Sequence, residues 1–578
     1  MIYRISSKRN SETQLLLSLQ AFNLKSNSGR IVNPIILCLS HKSDSNELVE
    51  LGRTEIAKAA KNPKFNEKIC INFTFQEVQK LEFEFFNATL QEHFLKAIET
   101  QPHLIRKWES LGKCNCQVAR LIKCMFEPMV LSIQTQSSDR TIHMNQETKI
   151  QTQPYLLIKA EELAPSKDML DITIRIVNVF SFTSLLARRA HSRMCMMRYD
   201  EEPGKTPSVV PIVSTHIIRN TMKPRFEVKY IPIADLTTNG RFTDKFKFVF
   251  LHKSSKHYES LIGEVPIDLQ TLFSKNSKLV FPLQKKKRKD TLIKTGYMIV
   301  ERAVLTQGFT FVDYCANGLN LNFSIAIDFS DYNGIHRDPS SLHYKHPLKL
   351  KDNPYQTSLK AIGRILIEYD EDKRFPIYGF GAQPNESLPT SQSFPLNGKP
   401  GAPEVSGMQG IMTAYEESVD MVIPNQVSKL HEVIDNACNA AALCSAKDYL
   451  ILLIITNGNI SDKLATKHSI IQAAQYPFSI VIIGVGSFDF AFFHELDADS
   501  QPLRTYKATA SRDLVQFVCY KEFIKYYRLS AETFKAKFAA CVLEEIPDQI
   551  TEYMLAAGYF PERTRIKNQT MSKEPKFL

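Results

Sequence analysis

The sequence predicts a multidomain chain of two antiparallel β-sandwiches followed by a doubly wound α/β domain. Three observations lead there. A β-rich pattern occurs twice in the first half. Fully apolar, β-branched runs alternate with helical spacing in the second half. The length of 578 residues suits roughly three to five domains.

The repeat rests on named landmarks. Thr54 precedes Pro63-Lys64-Phe65, and Thr215 precedes Pro224-Arg225-Phe226 at the same distance, with Ile56 and Ile217 also in register. Further on, Glu109-Ser110-Leu111-Gly112 resembles Glu259-Ser260-Leu261-Ile262-Gly263. Each copy closes on an extended apolar stretch, Tyr155-Leu156-Leu157-Ile158 and Tyr297-Met298-Ile299-Val300. Alternation such as Asp171-Ile172-Thr173-Ile174-Arg175-Ile176 marks half-buried strands.

The second half changes period. Leu321–Ile327, Tyr449–Ile455 and Ser479–Val485 read as buried strands, and Phe375–Gly381 as a strand running into a turn. Pro354–Tyr369 carries Leu359, Ile362 and Leu366 at helical spacing with Pro near its start, and Lys463–Ala474 is a second helical stretch. Short apolar strands alternating with helices predict a parallel sheet covered on both faces, with its site at the strands' carboxyl ends. The domains expected are residues 1–163 and 164–305 for the two sandwiches, 306–525 for the α/β domain and 526–578 for a C-terminal helical extension.

Composition narrows the function. Hydrophobic residues make up 43% and charged residues 23%, enough apolar material for several cores. No apolar run approaches the roughly 18 residues a spanning helix needs, and the N-terminus lacks the core of a signal peptide, so a cytoplasmic location is expected. The 11 cysteines form no framework, and Cys114-x-Cys116 with Cys124 lacks the second pair or histidine of a zinc knuckle. The net charge of +11 is concentrated: residues 164–305 hold 25 Lys+Arg against 13 Asp+Glu. That asymmetry implies an anionic partner: a membrane surface, a nucleic acid or an acidic protein.

No enzyme motif is present. Gly379-x-Gly381 and Gly484-x-Gly486 lack the third glycine of a dinucleotide loop, and His494-Glu495 lacks the second histidine of a zinc-protease helix. The chain is expected not to be an enzyme.

Several stretches resemble the copine family, in order along nearly the whole chain. They include Leu51-Gly52-Arg53-Thr54-Glu55, Gly308–Tyr314, Leu321–Ser330, Ser341-Leu342-His343-Tyr344, Phe375-Pro376 with Gly379–Ala382, Arg512–Val518 and Cys541–Pro547. The resemblance implies C2-type sandwiches and a von Willebrand factor A-type α/β domain. It also implies calcium-dependent binding of acidic phospholipids at the plasma membrane or other anionic membranes, and protein partners recruited through the A-type domain.

The calcium ligands the resemblance implies are largely replaced. The first sandwich has Asn33, Asn87, Thr89 and Ser110 where aspartates are expected, and the second has His252, Ser254, Lys256 and Ser260. No acid lies between Val179 and Cys195, where Arg188, Arg189 and Arg193 stand. Calcium needs several oxygen ligands, so little calcium dependence is expected. Positive charge is read as its substitute, with Arg188, Arg189, Arg193, Lys253, Lys256, Lys285, Lys286, Lys287, Arg288 and Lys289 as the lipid-binding set. For the run Lys285–Lys289, a solvated loop and a nucleic-acid contact are the alternatives, but interleaved aromatics are missing and no nucleic acid is expected. A scaffold without lipid binding is the alternative for the whole protein.

The A-type resemblance also implies a Mg²⁺ or Mn²⁺ site. Asp328 and Ser330 fit its first loop, Tyr332 replaces its second serine, Asn457 replaces an aspartate, and Ser406 is read as replacing an acid. The alternative is that Asp328 caps a sheet-edge loop.

Overall fold

The computed structural model describes residues 2–4, 13–26, 30–41, 48–89, 102–135, 153–163, 168–179, 191–200, 208–215, 217–219, 221–237, 241–253, 259–274, 279–286, 291–348, 350–385, 388–424, 428–498 and 502–561.

A short strand β1 (Ile2–Arg4) precedes the first sandwich. That sandwich contains β2 (Thr13–Phe22), β3 (Pro34–His41), β4 (Leu48–Arg53), β5 (Ile69–Phe73), β6 (Lys80–Asn87), β7 (Glu109–Gln117), β8 (Met129–Ser132) and β9 (Tyr155–Leu163). They form two four-stranded antiparallel sheets, β5-β2-β9-β8 and β4-β3-β6-β7. The period-two pattern explains the pairing. Leu15, Leu17, Leu19 and Ala21 of β2 are all buried, while the residues between them face out. On β7, Cys114 and Cys116 both face the core, and burial pushes the Cys116 thiol up to about 12.

The second sandwich contains β10 (Asp168–Val177), β11 (Ser192–Asp200), β12 (Ser208–Thr215), β13 (Arg225–Pro232), β14 (Lys245–Lys253), β15 (Glu259–Asp268), β16 (Val280–Lys286) and β17 (Leu292–Gln307). One path, β12-β11-β14-β15-β16-β17-β10-β13, curls into two layers joined by the single pair Glu264↔Gln284. β1 adds to the outer edge of β12.

The α/β domain has a parallel core of β19 (Arg374–Phe380), β18 (Asn320–Asp328), β24 (Asp448–Thr456), β25 (Phe478–Gly484) and β26 (Val515–Cys519), in that order. Between them in sequence lie β20 (Ala382–Gln383), β21 (Phe394–Pro395), β22 (Glu404–Ser406) and β23 (Ile423–Pro424); β21 and β22 pair antiparallel with β19. β18, β24 and β25 are buried nearly end to end, as strands covered on both faces must be. The helix Pro354–Leu366 starts with proline and a reciprocal cap between Asn353 and Gln356. The stretch read as a helical extension contributes helices Ala531–Val542 and Ile546–Ala556, and it is a layer of this domain. Phe534 and Phe538 are fully buried, and Ser479 of β25 donates to Gln549 at 2.6 Å.

The first sandwich and the α/β domain share one hydrophobic core. Phe75 packs 5.1 Å from Phe311 and 4.7 Å from Tyr369, ring to ring. Lys123 Nζ donates to the Tyr369 carbonyl at 3.0 Å, and Thr310 Oγ1 to Glu162 at 2.9 Å. The second sandwich keeps a core of its own. Its long strand β17 delivers the chain to the same junction, where Gln307 lies beside Asp168.

Candidate functional site

Strand direction decides which loops of the second sandwich meet. Ser192 pairs with His252 and bridges Ile218; Lys253 pairs with Glu259 and donates its N–H to the His191 carbonyl at 2.9 Å. Ile176, near the end of β10, donates its N–H to the Pro224 carbonyl at 3.1 Å. Lys285 Nζ donates to the Leu261 carbonyl at 2.7 Å, and Lys286 closes the β16–β17 pairing opposite Leu292. The segments after Val179, before Pro224, after Lys253 and after Lys286 therefore leave from one end of the sandwich.

Of the cations read as lipid-binding, Arg193, Lys253, Lys285 and Lys286 are described and stand at this end. Arg188, Arg189, Lys256, Lys287, Arg288 and Lys289 lie outside the described residues, as does Ser254. Arg193 is committed inside the protein: it donates to Glu259 at 2.5 Å and to Ser214 Oγ at 3.4 Å. Lys285 spends its ammonium on a backbone carbonyl. Elsewhere on the sandwich, Lys247 pairs with Glu264, and Arg175 and Arg225 both pair with Glu301. The loop that joins β12 to β13 was missed. It places exposed Arg219 and Lys223 at this end, with Met222 47% exposed between them. Its signal was two basic residues between the repeat landmarks Thr215 and Pro224.

At the corresponding end of the first sandwich, amides fill the aspartate positions. Asn87 Oδ1 accepts the Asn33 N–H at 2.8 Å, and Asn33 Oδ1 accepts the Ala59 N–H at 2.9 Å. Asn87 Nδ2 donates to Glu109 at 2.9 Å, and Ser110 Oγ accepts the Gly112 N–H at 3.3 Å. Glu109 is the carboxylate that sequence reading passed over. Among the described residues at this end, one carboxylate held by an amide is a poor match to calcium's shell of six to eight oxygens.

In the α/β domain, Asp328 ends β18, the interior strand where the strand order reverses, so it caps no sheet edge. It is fully buried. Its Oδ1 accepts the Ser330 N–H at 2.9 Å and the Ser428 hydroxyl at 3.3 Å; Oδ2 accepts the Thr456 hydroxyl at 2.7 Å and the Asn457 N–H at 3.3 Å. Burial raises its pKa, against the pull of these donors. Ser428 was missed, and Ser406 was misplaced. Ser406 pairs with Arg374 at the start of β19, whereas Asp328 pairs with Phe380 at its end. At ~3.3 Å per residue that is roughly 20 Å away. The misreading came from a serine preceding a glycine, a local pattern blind to strand direction. Tyr332 is 59% exposed and meets Phe488 edge-to-face at 6.3 Å. One carboxylate with both oxygens already filled suits a hydrogen-bonded cluster better than the octahedral oxygen shell of Mg²⁺.

Beneath this cluster lies the stretch Ser341–Tyr344. His343 is stacked between Phe329 and Tyr355 and is buried. A carbonyl only accepts, so His343 Nε2–H donates to the Asp328 carbonyl at 2.9 Å and Nδ1 accepts from Tyr415 at 2.8 Å. Burial lowers the imidazole to about 4, so it is neutral.

Comparison with known proteins agrees with this architecture. A family described as Copine matches residues 341–562, and one described as C2 domain matches residues 17–123 and 192–283. The Arabidopsis thaliana protein BONZAI 2 is 30% identical over 575 residues, covering 96% of this chain and 91% of its own length. BONZAI 1 of the same plant is 30% identical over 558 residues, covering 94% and 90%. A solved structure described as BON1-C2B matches at 16% identity, covering 24% of this chain and 93% of its own, with a TM-score of 0.21.

Proposed function

The chain belongs to the copine family, and on that premise we propose that it is a non-enzymatic peripheral adaptor that attaches to anionic membranes by charge, without calcium. Its A-type domain then offers a docking face for protein partners. The observation that carries this reading is that the described cations Arg219, Lys223, Lys253 and Lys286 lie at one end of the second sandwich, the end where C2 domains of the family hold calcium. Calcium there turns an acidic loop surface positive, so that anionic headgroups approach. In this chain Arg219, Lys223, Lys253 and Lys286 already supply positive charge at that end. Each cation near an anionic leaflet is worth about 1 kcal/mol, and the attraction fades over a Debye length of about 8–10 Å.

The test is vesicle sedimentation of the full chain. Phosphatidylserine vesicles should bind it and phosphatidylcholine vesicles should not, with calcium and chelator giving the same result. Added salt should release it. Replacing Lys286, Lys287, Arg288 and Lys289 with Glu should cost about a hundredfold or more in affinity. Lys285 stays in place because its ammonium holds the Leu261 carbonyl. A tenfold or greater gain with micromolar calcium, or undiminished binding by the replaced chain, overturns the proposal. Equal or tighter binding to an oligonucleotide would favour nucleic acid instead.

A further inference from the structure

We propose that the side-chain amide of Asn457 takes the place of the divalent cation in the A-type site, so that this cluster is closed by hydrogen bonds and holds together without metal. The orientation of the amide carries the argument. Asn457 Oδ1 accepts the backbone N–H of Asn459 at 2.8 Å, which fixes which way the group points. Its Nδ2 then donates to Ser330 Oγ at 2.9 Å. A cation at this position would need a lone pair from the side chain at 457, and it meets an N–H instead. That donor takes one of the two lone pairs of the Ser330 hydroxyl oxygen, which a metal would claim.

The neighbours leave little freedom to rearrange. Both Asp328 oxygens are filled by Ser330, Ser428, Thr456 and Asn457. Gly381 adopts φ +73°, and a Cβ there would lie 2.7 Å from Ser428 Oγ and 3.3 Å from Ser330 Cβ. The cluster is therefore packed as well as bonded. The hydroxyl and amide donors offset part of the cost of burying the Asp328 carboxylate. A second carboxylate at 457 would repel Asp328 unless a cation lay between them.

This inference rests on the A-type reading of the domain, but its failure would leave the membrane proposal untouched, because vesicle binding belongs to the second sandwich. The experiment is thermal unfolding of the full chain in Mn²⁺, in Mg²⁺ and in chelator. The native chain should melt at one temperature in all three. Asn457→Asp should melt lower than the native chain in chelator. Asn457→Asp combined with Tyr332→Ser, which returns the family's ligand types, should regain stability with Mn²⁺, rising with the logarithm of its concentration once that exceeds the dissociation constant. The inference is overturned by a Mn²⁺- or Mg²⁺-dependent rise in the native chain. It is equally overturned by an Asn457→Asp chain that melts as high as the native one in chelator, or by a double variant that ignores Mn²⁺.

Discussion

Arg193 and Glu259 stand 2.5 Å apart in one layer of the second sandwich, on the two strands that flank β14, at its basic end. The pair contributes no net charge to that end, although Arg193 by itself reads as a headgroup ligand.

Charge bookkeeping at this pair gives the first prediction. Glu259→Gln should tighten binding to phosphatidylserine vesicles about fivefold, since one released cation is worth about 1 kcal/mol near an anionic leaflet. Replacing both residues with Gln should leave the affinity unchanged. If the double variant loses binding as the lysine-run variant does, the pair opens at the membrane and Arg193 is a lipid contact after all.

Phe75 gives the second. Its ring is 2% exposed and packs on Phe311 and Tyr369 of the α/β domain. Phe75→Ala removes a buried ring, at about 3–5 kcal/mol. Much of that contact joins the two domains, so the native chain should unfold the first sandwich and the α/β domain in one calorimetric transition. The variant should separate them into two. A single transition merely shifted downward would mean that other contacts carry the coupling.

The third concerns pH. Burial lowers His343 to about 4, so the unfolded chain takes up its proton first, near 6.5; the stability from neutral His343 is full above pH 6.5 and lost as pH falls toward 4. Asp370 runs the other way. Burial and the neighbouring Asp372 carboxyl raise it to about 7, so its contribution is full below pH 3.8 and lost as pH rises through 7. Asp328, also raised by burial, acts in the same sense as Asp370. Each pKa unit corresponds to about 1.4 kcal/mol. Between pH 4 and 6.5 His343 makes stability rise with pH, while Asp370 and Asp328 make it fall. Asp370→Asn removes one falling contribution, so it should raise stability at pH 6.5 relative to pH 4 compared with the native chain, measured by urea unfolding at each pH. An unchanged profile in that variant contradicts the assignment to Asp370.

The sequence by itself determined the order of the domains, the main strands and helices of the α/β sheet, and the loss of acids from the calcium loops. These follow from burial periodicity and residue type, which are local along the chain: Leu15 to Ala21 alternate, and Leu450 to Ile455 do not, because one strand has one buried face and the other has two. Asp328 and Ser330 could be read together because their loop is contiguous. Only the tertiary structure decided the rest. It put Ser428 beside Asp328 and Ser406 at the far end of β19, neutralised Arg193 with a glutamate 66 residues away, and brought Arg219 and Lys223 to the basic end. It also merged the first sandwich with the α/β domain through Phe75, a residue whose local pattern names no partner. Strand direction and sheet order set these meetings, and a pairing across a sheet leaves no periodic trace in either segment that makes it.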